Sequence, residues 1–382
     1  MPVSNDQREP RVTTLELFFD LVFVFTITQL THVLAHHPDG EHLLQVVLML
    51  AVIWWMYSGF AWLTNGVPTH TTRRRLLLLA GMGCFMVISL AIPTAFSGDG
   101  EIFAAAYFGV VLVHVGLFMR SDAPTAVSAI LTTVRFNLAA ATLILAGSLI
   151  NEEPWDYILW GLGCAALLSA IVLQETRGFV IRTGHFIERH GLVVIVALGE
   201  SVVAIGIGAS ELPLTAGVLG IALAGLALSA ALWWTYFGIE DEVEESFEAV
   251  PVPDRPEVAL RAYYLAHLIL LGGVVAAAAG LEEGIGHPYD EASLGIALCL
   301  GGGVAAYFLG EAWFRHEMGV RQGRWQGLAG LLALATVPIG TEGSALLQLV
   351  VLLGAVVLCL VAEAATRPPA GSREPAPAAP AS

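Results

Sequence analysis

The sequence predicts an all-α integral membrane protein of about twelve transmembrane helices, and three observations support this fold class. Hydrophobic residues make up 56% of the 382 residues and charged residues only 13%, whereas a soluble domain carries about 25% charged residues. Apolar runs close to the ~20 residues that cross a bilayer as a helix recur along the whole chain. No segment shows the alternation of apolar and polar residues that is typical of membrane β-strands.

The predicted spans form two groups of six. The first group comprises residues 15–33, 43–63, 76–96, 102–119, 126–150 and 155–173. The second group comprises residues 192–209, 214–237, 263–281, 293–309, 325–339 and 345–365. The eleventh span, 325–339, is the shortest of the twelve, and several glycines lie within it and beside it.

The basic residues test this assignment independently, because they concentrate on the cytoplasmic side of membrane proteins. All 17 basic residues are arginines. With both termini in the cytoplasm, the outside loops contain no arginine and only Arg135 falls within a predicted span. The inside segments then hold Arg8, Arg11, Arg73, Arg74, Arg75, Arg120, Arg177, Arg182, Arg189, Arg255, Arg261, Arg315, Arg321, Arg324, Arg367 and Arg373. We therefore predict that both termini are cytoplasmic.

Two matched elements indicate an internal repeat of six helices. The pattern W-W-x-Y-x-G begins at Trp54 in the second span and again at Trp233 in the eighth. Glu16, at the start of the first span, aligns with Glu188, which lies just before the seventh. Because six is an even number, equivalent helices of the two halves would point the same way, as in many transporters with parallel repeats.

These patterns predict four segments. Residues 1–12 form a cytoplasmic N-terminal segment, 13–175 the first six-helix half and 176–365 the second. Residues 366–382 are rich in proline and alanine, and this composition predicts a disordered cytoplasmic tail.

Two stretches carry a family resemblance. "RVTTLELFFDLVFVFTITQLT", which begins at Arg11, and "ERHGLVVIVALGESVVAIG", which begins at Glu188, resemble the bacterial low temperature requirement protein A family over residues 11–363. The resemblance implies a multi-pass protein of the bacterial cytoplasmic membrane and brings no settled substrate or reaction with it. Phe18-Phe19-Asp20 is also similar to the Phe-Ser-Asp signature of twelve-helix potassium channels, with Phe19 in place of the serine.

Polar residues in the first span are candidates for a functional network. Thr13 and Glu16 have the spacing of a capping box, in which each side chain binds a free backbone N–H at a helix start. Asp20 lies one turn deeper on the same face, too deep to cap the helix, so it must face protein or a water-filled cavity. Gln29 lies on the opposite face, in the outer half of the span, where we expect hydrogen bonds between helices.

Glu200 is the deepest acid of the predicted spans. It lies near the bilayer midplane beside Ser201, and an acidic residue at this depth favours a role in handling a proton or a cation. Arg135 is the cation that we expect to pair with Asp20 or Glu200. The candidate network therefore comprises Glu16, Asp20, Gln29, Arg135, Glu188, Glu200 and Ser201.

The loop "HVLAHHPDGEH", residues 32–42, concentrates histidines and acids that zinc or copper could bind. Its residues do not follow a known ligand spacing, and we expect a solvated loop without a metal site. We expect no cofactor either.

These features favour a channel or secondary transporter for a small ion or solute. Isolated charges within the membrane and internal repeats are typical of transporters. The signature motifs of zinc proteases, P-loop NTPases and α/β-hydrolases are absent, so we do not predict an enzyme. The alternative is a membrane-embedded enzyme, or an envelope sensor or assembly factor, without transport activity.

The expected partners are the lipid bilayer, the small ion or solute and a second copy of the chain. The net charge of −16 argues against nucleic acid, which binds clustered basic residues.

Overall fold

The computed structural model describes residues 12–66, 71–120, 124–173, 181–210, 212–320 and 323–366, and every regular element in these residues is helical. Eleven of the described helical spans are long and apolar enough to cross a membrane. The all-α membrane fold class is therefore confirmed. The terminal segments 1–11 and 367–382, including the predicted tail, lie outside the described residues.

Six long helices make up the first half of the chain. They are α1 (Thr14–His36), α2 (Gly40–Gly66), α3 (Thr72–Ala91), α4 (Gly100–Phe118), α5 (Pro124–Ile150) and α6 (Trp155–Leu173). Local signals set several of their ends. The Thr71 side chain accepts a hydrogen bond from the backbone N–H of Arg74 at the start of α3. The same helix ends where Pro93 introduces a short 3₁₀ turn, Ile92–Thr94.

Among the described residues, the second half contains five spans that are long and apolar enough to cross a membrane, together with several short helices. It comprises α7 (Thr183–Ala209), α8 (Ala216–Phe237), α9 (Glu240–Ala249), α10 (Arg255–Ala259), α11 (His267–Gly286), α12 (Leu294–Glu317), α13 (Arg324–Ala335), α14 (Val337–Glu342) and α15 (Ala345–Ala365). A π-helical segment, Leu260–Ala266, joins α10 to α11 in one continuous span. The seventh span begins at Thr183 rather than at residue 192, and this earlier start places Glu188 and Arg189 within a helix.

The predicted eleventh span is interrupted. It consists of α13 and α14, which meet at Thr336. Pro338 lies in the first turn of α14, where its missing N–H costs no helical hydrogen bond. The Gln348 side chain of α15 donates a hydrogen bond to the carbonyl of Ala297 at 2.8 Å and lies 3.5 Å from the Thr336 hydroxyl. A buried amide of α15 thus contacts both α12 and the threonine at the interruption.

The centre of the bundle is α11, which packs against α1, α2, α7 and α12. Glycines allow it to approach α12 closely. A Cβ atom at Gly273 would lie 2.4 Å from the backbone nitrogen of Tyr307, and one at Gly303 would lie 2.4 Å from that of Ala277. Small residues at such contacts let helix backbones pack directly in a membrane protein.

The two tryptophan pairs occupy different environments. Trp54 is fully buried and donates a hydrogen bond to the carbonyl of Tyr264, and Trp55 donates one to Asn137. Trp233 and Trp234 are 41% and 64% exposed on the surface of α8. The internal repeat stays a prediction.

Candidate functional site

The start of α1 has the predicted capping box. The Thr13 backbone N–H and hydroxyl both donate to Glu16 Oε2 at 2.8 Å, and the Glu16 N–H donates to the Thr13 hydroxyl. Glu16 has a second partner on α7, because His185 Nε2 lies 3.3 Å from its Oε1. Both side chains are buried. Glu16 therefore caps α1 and also joins it to α7.

His185 also contacts α2, and these contacts define its proton position. Asn65 Nδ2 lies 3.3 Å from His185 Nδ1. Since the amide nitrogen Nδ2 can only donate, Nδ1 is the accepting nitrogen of His185 and Nε2 carries the proton that faces Glu16. Asn65 is held in turn by the backbone of Arg182, to which its amide donates at 3.0 Å and from which its carbonyl accepts at 2.9 Å.

One turn further along α1, Asp20 forms a buried ion pair with Arg189 of α7. Arg189 Nη2 lies 3.1 Å from Asp20 Oδ1, and Nη1 lies 3.4 Å from Oδ2. The Tyr57 hydroxyl of α2 donates to the same Oδ1 atom. All three side chains are at most 2% exposed. Because a guanidinium and a hydroxyl both satisfy the carboxylate, this acid can be buried at a tolerable cost.

The expected pairing of Arg135 is wrong. Its side chain is exposed on α5, and its guanidinium carbon lies 4.8 Å from the ring centroid of Phe136. The cation on Asp20 is instead Arg189, which the shorter predicted seventh span had placed in a loop. The sequence carried a usable signal, because His185 and Arg189 are four residues apart, as are Glu16 and Asp20.

Glu200 lies on α7 opposite Thr28 of α1. It is 1% exposed, and the Thr28 hydroxyl donates to its Oε2 atom at 2.5 Å. Among the described residues, no arginine or histidine forms an ion pair with Glu200. Ser201, the next residue, is also buried. Glu200 is therefore a membrane-embedded acid with a hydroxyl partner and no paired cation in the described part of the chain.

The last two turns of α1 bring His32 and His36 to Glu282 of α11. One nitrogen of each histidine and a carboxylate oxygen of Glu282 lie within 4.8 Å of one another. Both histidines are exposed, whereas Glu282 is buried. The sequence does not predict this cluster, because Glu282 is remote from the histidines along the chain.

Two predicted network residues stand apart from these clusters. Glu188 is exposed and accepts a hydrogen bond from the backbone N–H of Val12 at 3.3 Å. Gln29 is half-buried, and the structure gives its side chain no hydrogen bond to another described residue. The structure thus brings Glu16, Asp20 and Glu200 to the interface between α1 and α7, and does not bring Arg135, Glu188 or Gln29 into their contacts.

The loop between α1 and α2 has its own polar contacts. Asp39 Oδ1 accepts a hydrogen bond from the His42 backbone N–H at 2.9 Å, and the His42 ring nitrogen Nδ1 lies 2.9 Å from the same oxygen. These hydrogen bonds lower the pKa of Asp39, with the backbone hydrogen bond as the larger cause. Asp39 therefore caps the start of α2 in its charged form.

A second buried ion-pair cluster joins four helices away from α1. Arg315 of α12 donates to Glu311 of the same helix at 2.6 Å, to Glu363 of α15 at 2.6 Å and to the carbonyl of Thr235 on α8 at 2.8 Å. Gln326 of α13 donates to Glu363 at 2.9 Å. These contacts join α8, α12, α13 and α15, as a structural ion-pair cluster does.

The comparisons with known proteins agree with the fold. The family model described as "Bacterial low temperature requirement A protein (LtrA)" matches residues 11–364, which is nearly the whole chain. A protein of Rhizobium meliloti (strain 1021), described as uncharacterized, is 27% identical over 318 residues, which cover 79% of this chain and 76% of that protein. The family match covers every described helix, and the chain belongs to the bacterial low temperature requirement A protein family.

Proposed function

We propose that this protein is a channel or secondary transporter that moves a small ion or solute across the bacterial membrane, with the interface of α1 and α7 as its path. One observation carries the proposal. On α1, every fourth residue from 16 to 36 is polar except residue 24. Acidic residues, a histidine and an arginine of α7 and α11 lie opposite these positions. We call these α1 residues the polar stripe; they are Glu16, Asp20, Thr28, His32 and His36.

The stripe and its partners form a line of polar contacts that is interrupted at residue 24, a valine. Glu16 contacts His185, Asp20 contacts Arg189, and Thr28 contacts Glu200. Since partners advance along both helices together, α1 and α7 run parallel. From Asp20 to Thr28 the helix rises about 12 Å. Charged groups within a bilayer are costly and cluster along substrate and ion pathways, so this line is the best-supported route.

The acids along the line have different roles in this proposal. Asp20 is neutralised by Arg189 and held by Tyr57, so it fixes the relative positions of α1, α2 and α7. Glu200 has a hydroxyl partner and no paired cation in the described residues, which leaves its carboxylate able to take up a proton or a small cation. Glu200 is therefore the binding group that we assign to the transported or coupling ion.

Flux measurements in proteoliposomes test this function. Wild-type protein would be assayed with protons, sodium, potassium and a panel of amino acids, beside Glu200→Gln and the control Glu188→Gln. We expect Glu200→Gln to reduce the flux or remove its ion coupling, since the amide keeps the shape but cannot carry the charge. Glu188→Gln should retain wild-type flux because Glu188 is exposed and lies outside the line.

Two outcomes would contradict the proposal. If the wild type moves nothing in the panel above protein-free vesicles, transport of these ions and solutes is rejected and the non-transport alternative gains support. If wild-type flux is present and Glu200→Gln does not change it, Glu200 is a structural acid.

A further inference from the structure

We infer that His32, His36 and Glu282 form a binding site for a divalent transition-metal ion of the zinc type. The site lies where α1 ends, against the last turns of α11. The inference rests on side-chain geometry and does not depend on transport. Residues 32–42 alone predict no metal site, whereas the carboxylate of this cluster comes from a helix that is remote in sequence.

The three ligand groups are close enough to meet one ion. Their candidate ligand atoms lie within 4.8 Å of one another. A tetrahedral zinc ion with bonds of about 2.1 Å holds its ligands about 3.4 Å apart. Closing the cluster therefore requires shifts of roughly 1 Å, and both histidines are exposed enough to rotate. Residues His32 and His36, four apart on a helix, present their rings on one face.

The His36 ring is oriented as a metal-binding imidazole usually is. Its Nδ1 lies 3.0 Å from the carbonyl oxygen of His32. A ring that donates its Nδ1–H to a carbonyl carries a lone pair on Nε2, and this outer-shell contact is the common one for histidine ligands. The two rings lie side by side, with centroids 4.0 Å apart.

The backbone around Glu282 is fixed by tight packing. A Cβ atom at Gly208 of α7 would lie 2.2 Å from the Glu282 carbonyl oxygen, so only glycine allows α7 to contact α11 there. The buried carboxylate is thus presented from a rigid position. Two imidazoles and one carboxylate form a three-ligand set. The fourth coordination position of a tetrahedral zinc ion is then left for a water molecule.

The neighbouring histidines supply matched controls. His42 contacts both carboxylate oxygens of Asp39, at 2.9 and 3.0 Å from its Nδ1. His37 stacks on His42 with ring centroids 4.5 Å apart. His37 directly follows α1 and His42 lies in the first turn of α2, so both are close in sequence to His32 and His36. Neither belongs to the cluster with Glu282.

Direct metal binding tests the inference on the full-length protein, purified without a polyhistidine tag. Zinc would be titrated calorimetrically, and cobalt(II) would report the ligand geometry through its visible absorption. We expect one high-affinity ion per chain. His32→Ala, His36→Ala and Glu282→Gln should each weaken binding at least about tenfold, since even outer-shell partners of metal ligands contribute 10–100-fold. His37→Ala and His42→Ala should bind as the wild type does.

Two results would overturn the site. One is wild-type binding no tighter than that of the triple variant lacking all three ligands. The other is an equal loss of affinity in the His37→Ala or His42→Ala control, which would indicate unspecific binding by the loop. Because His32 and His36 are exposed, their alanine variants should fold, and size-exclusion chromatography would verify this. Glu200→Gln separates the two proposals: it should bind zinc as the wild type does, because Glu200 is not a member of the cluster, whatever its effect on flux.

Discussion

At the residue scale, the most informative side chain is Arg189. It is a fully buried guanidinium that contacts Asp20, and Tyr57 completes the shell of that carboxylate. A buried ion pair adds little net stability, because both ions lose their hydration. Removing one partner nevertheless leaves the other charge buried and uncompensated. The pair therefore makes the contact of α1 with α7 specific rather than strong.

Arg189→Met should lower the free energy of unfolding by about 3–5 kcal/mol, the usual cost of leaving one buried charge unpaired. The double variant Asp20→Asn with Arg189→Met should recover part of this loss. Unfolding in mixed micelles would measure both values. Arg135→Met is the control, and as an exposed substitution it should change stability by less than about 0.5 kcal/mol. Independent, additive effects of Asp20→Asn and Arg189→Met would contradict the pairing.

Asp39 gives a prediction about pH. Its hydrogen bonds to His42 lower its pKa in the folded protein, so its charged form stabilises the fold. This contribution is present above the ordinary aspartate pKa of about 4 and is lost as the pH falls through the lowered folded-state pKa. Asp39→Ala should therefore destabilise α2 by about 1 kcal/mol at pH 7. The difference in stability between the wild type and this variant should shrink in acid. An unfolding series over pH measures this difference, and a value that stays constant would show that the cap is not charged.

At the scale of helices, the contact of α11 with α12 depends on glycine. Gly302 and Gly303 are adjacent, but only Gly303 faces the partner helix. A Cβ atom at Gly303 would lie 2.4 Å from the Ala277 nitrogen. One at Gly302 would have no atom of another described helix within 4 Å. Alanine substitutions at these two glycines therefore separate the effect of helix propensity from the effect of packing.

Gly303→Ala should destabilise the protein, because the backbones of α11 and α12 would have to move apart. Overpacking of this kind typically costs about 1–3 kcal/mol. Gly302→Ala should be neutral or stabilise by up to about 1 kcal/mol, since alanine favours helix over glycine. Thermal unfolding of the two variants measures the difference. Equal stability of the two would show that α11 and α12 do not pack this closely.

At the scale of the whole molecule, apolar length predicted the membrane fold well because each span must satisfy its backbone in lipid on its own. The same criterion failed at two elements. The start of α7 carries His185 and Arg189 and therefore looks like a loop. Both side chains are nevertheless buried, because they contact acids of α1 and form hydrogen bonds with α2. The eleventh span breaks at Thr336, where a side chain from α15 supports the interruption.

The candidate site was only partly predictable for a related reason. Glu16, Asp20 and Glu200 are conspicuous as acids in apolar runs, so the sequence identifies them. Their partners depend on which helices touch, and nothing local in the sequence specifies that Glu282 meets His36. Arg135 shows the error that results, since an arginine within a span looked buried and is exposed.

The topology remains a prediction that labelling can test. In a background without the four native cysteines, Thr71→Cys should react only with reagent on the cytoplasmic side and Ser97→Cys only with reagent on the opposite side. This expectation follows from the distribution of arginine among the loops. Both positions are exposed. Labelling of Thr71→Cys from outside would reverse the assigned orientation.

The most direct test of the α1–α7 path is chemical modification of Thr28, the residue that contacts Glu200. A cysteine at this position would be treated with a small charged thiol reagent in proteoliposomes, and the flux would be measured before and after. We predict that modification of Thr28→Cys blocks the flux. The control is Thr26→Cys, because Thr26 faces Ser89 of α3 at 2.7 Å rather than α7, and it should retain its flux. Unchanged flux through fully modified Thr28→Cys protein would contradict a path between α1 and α7.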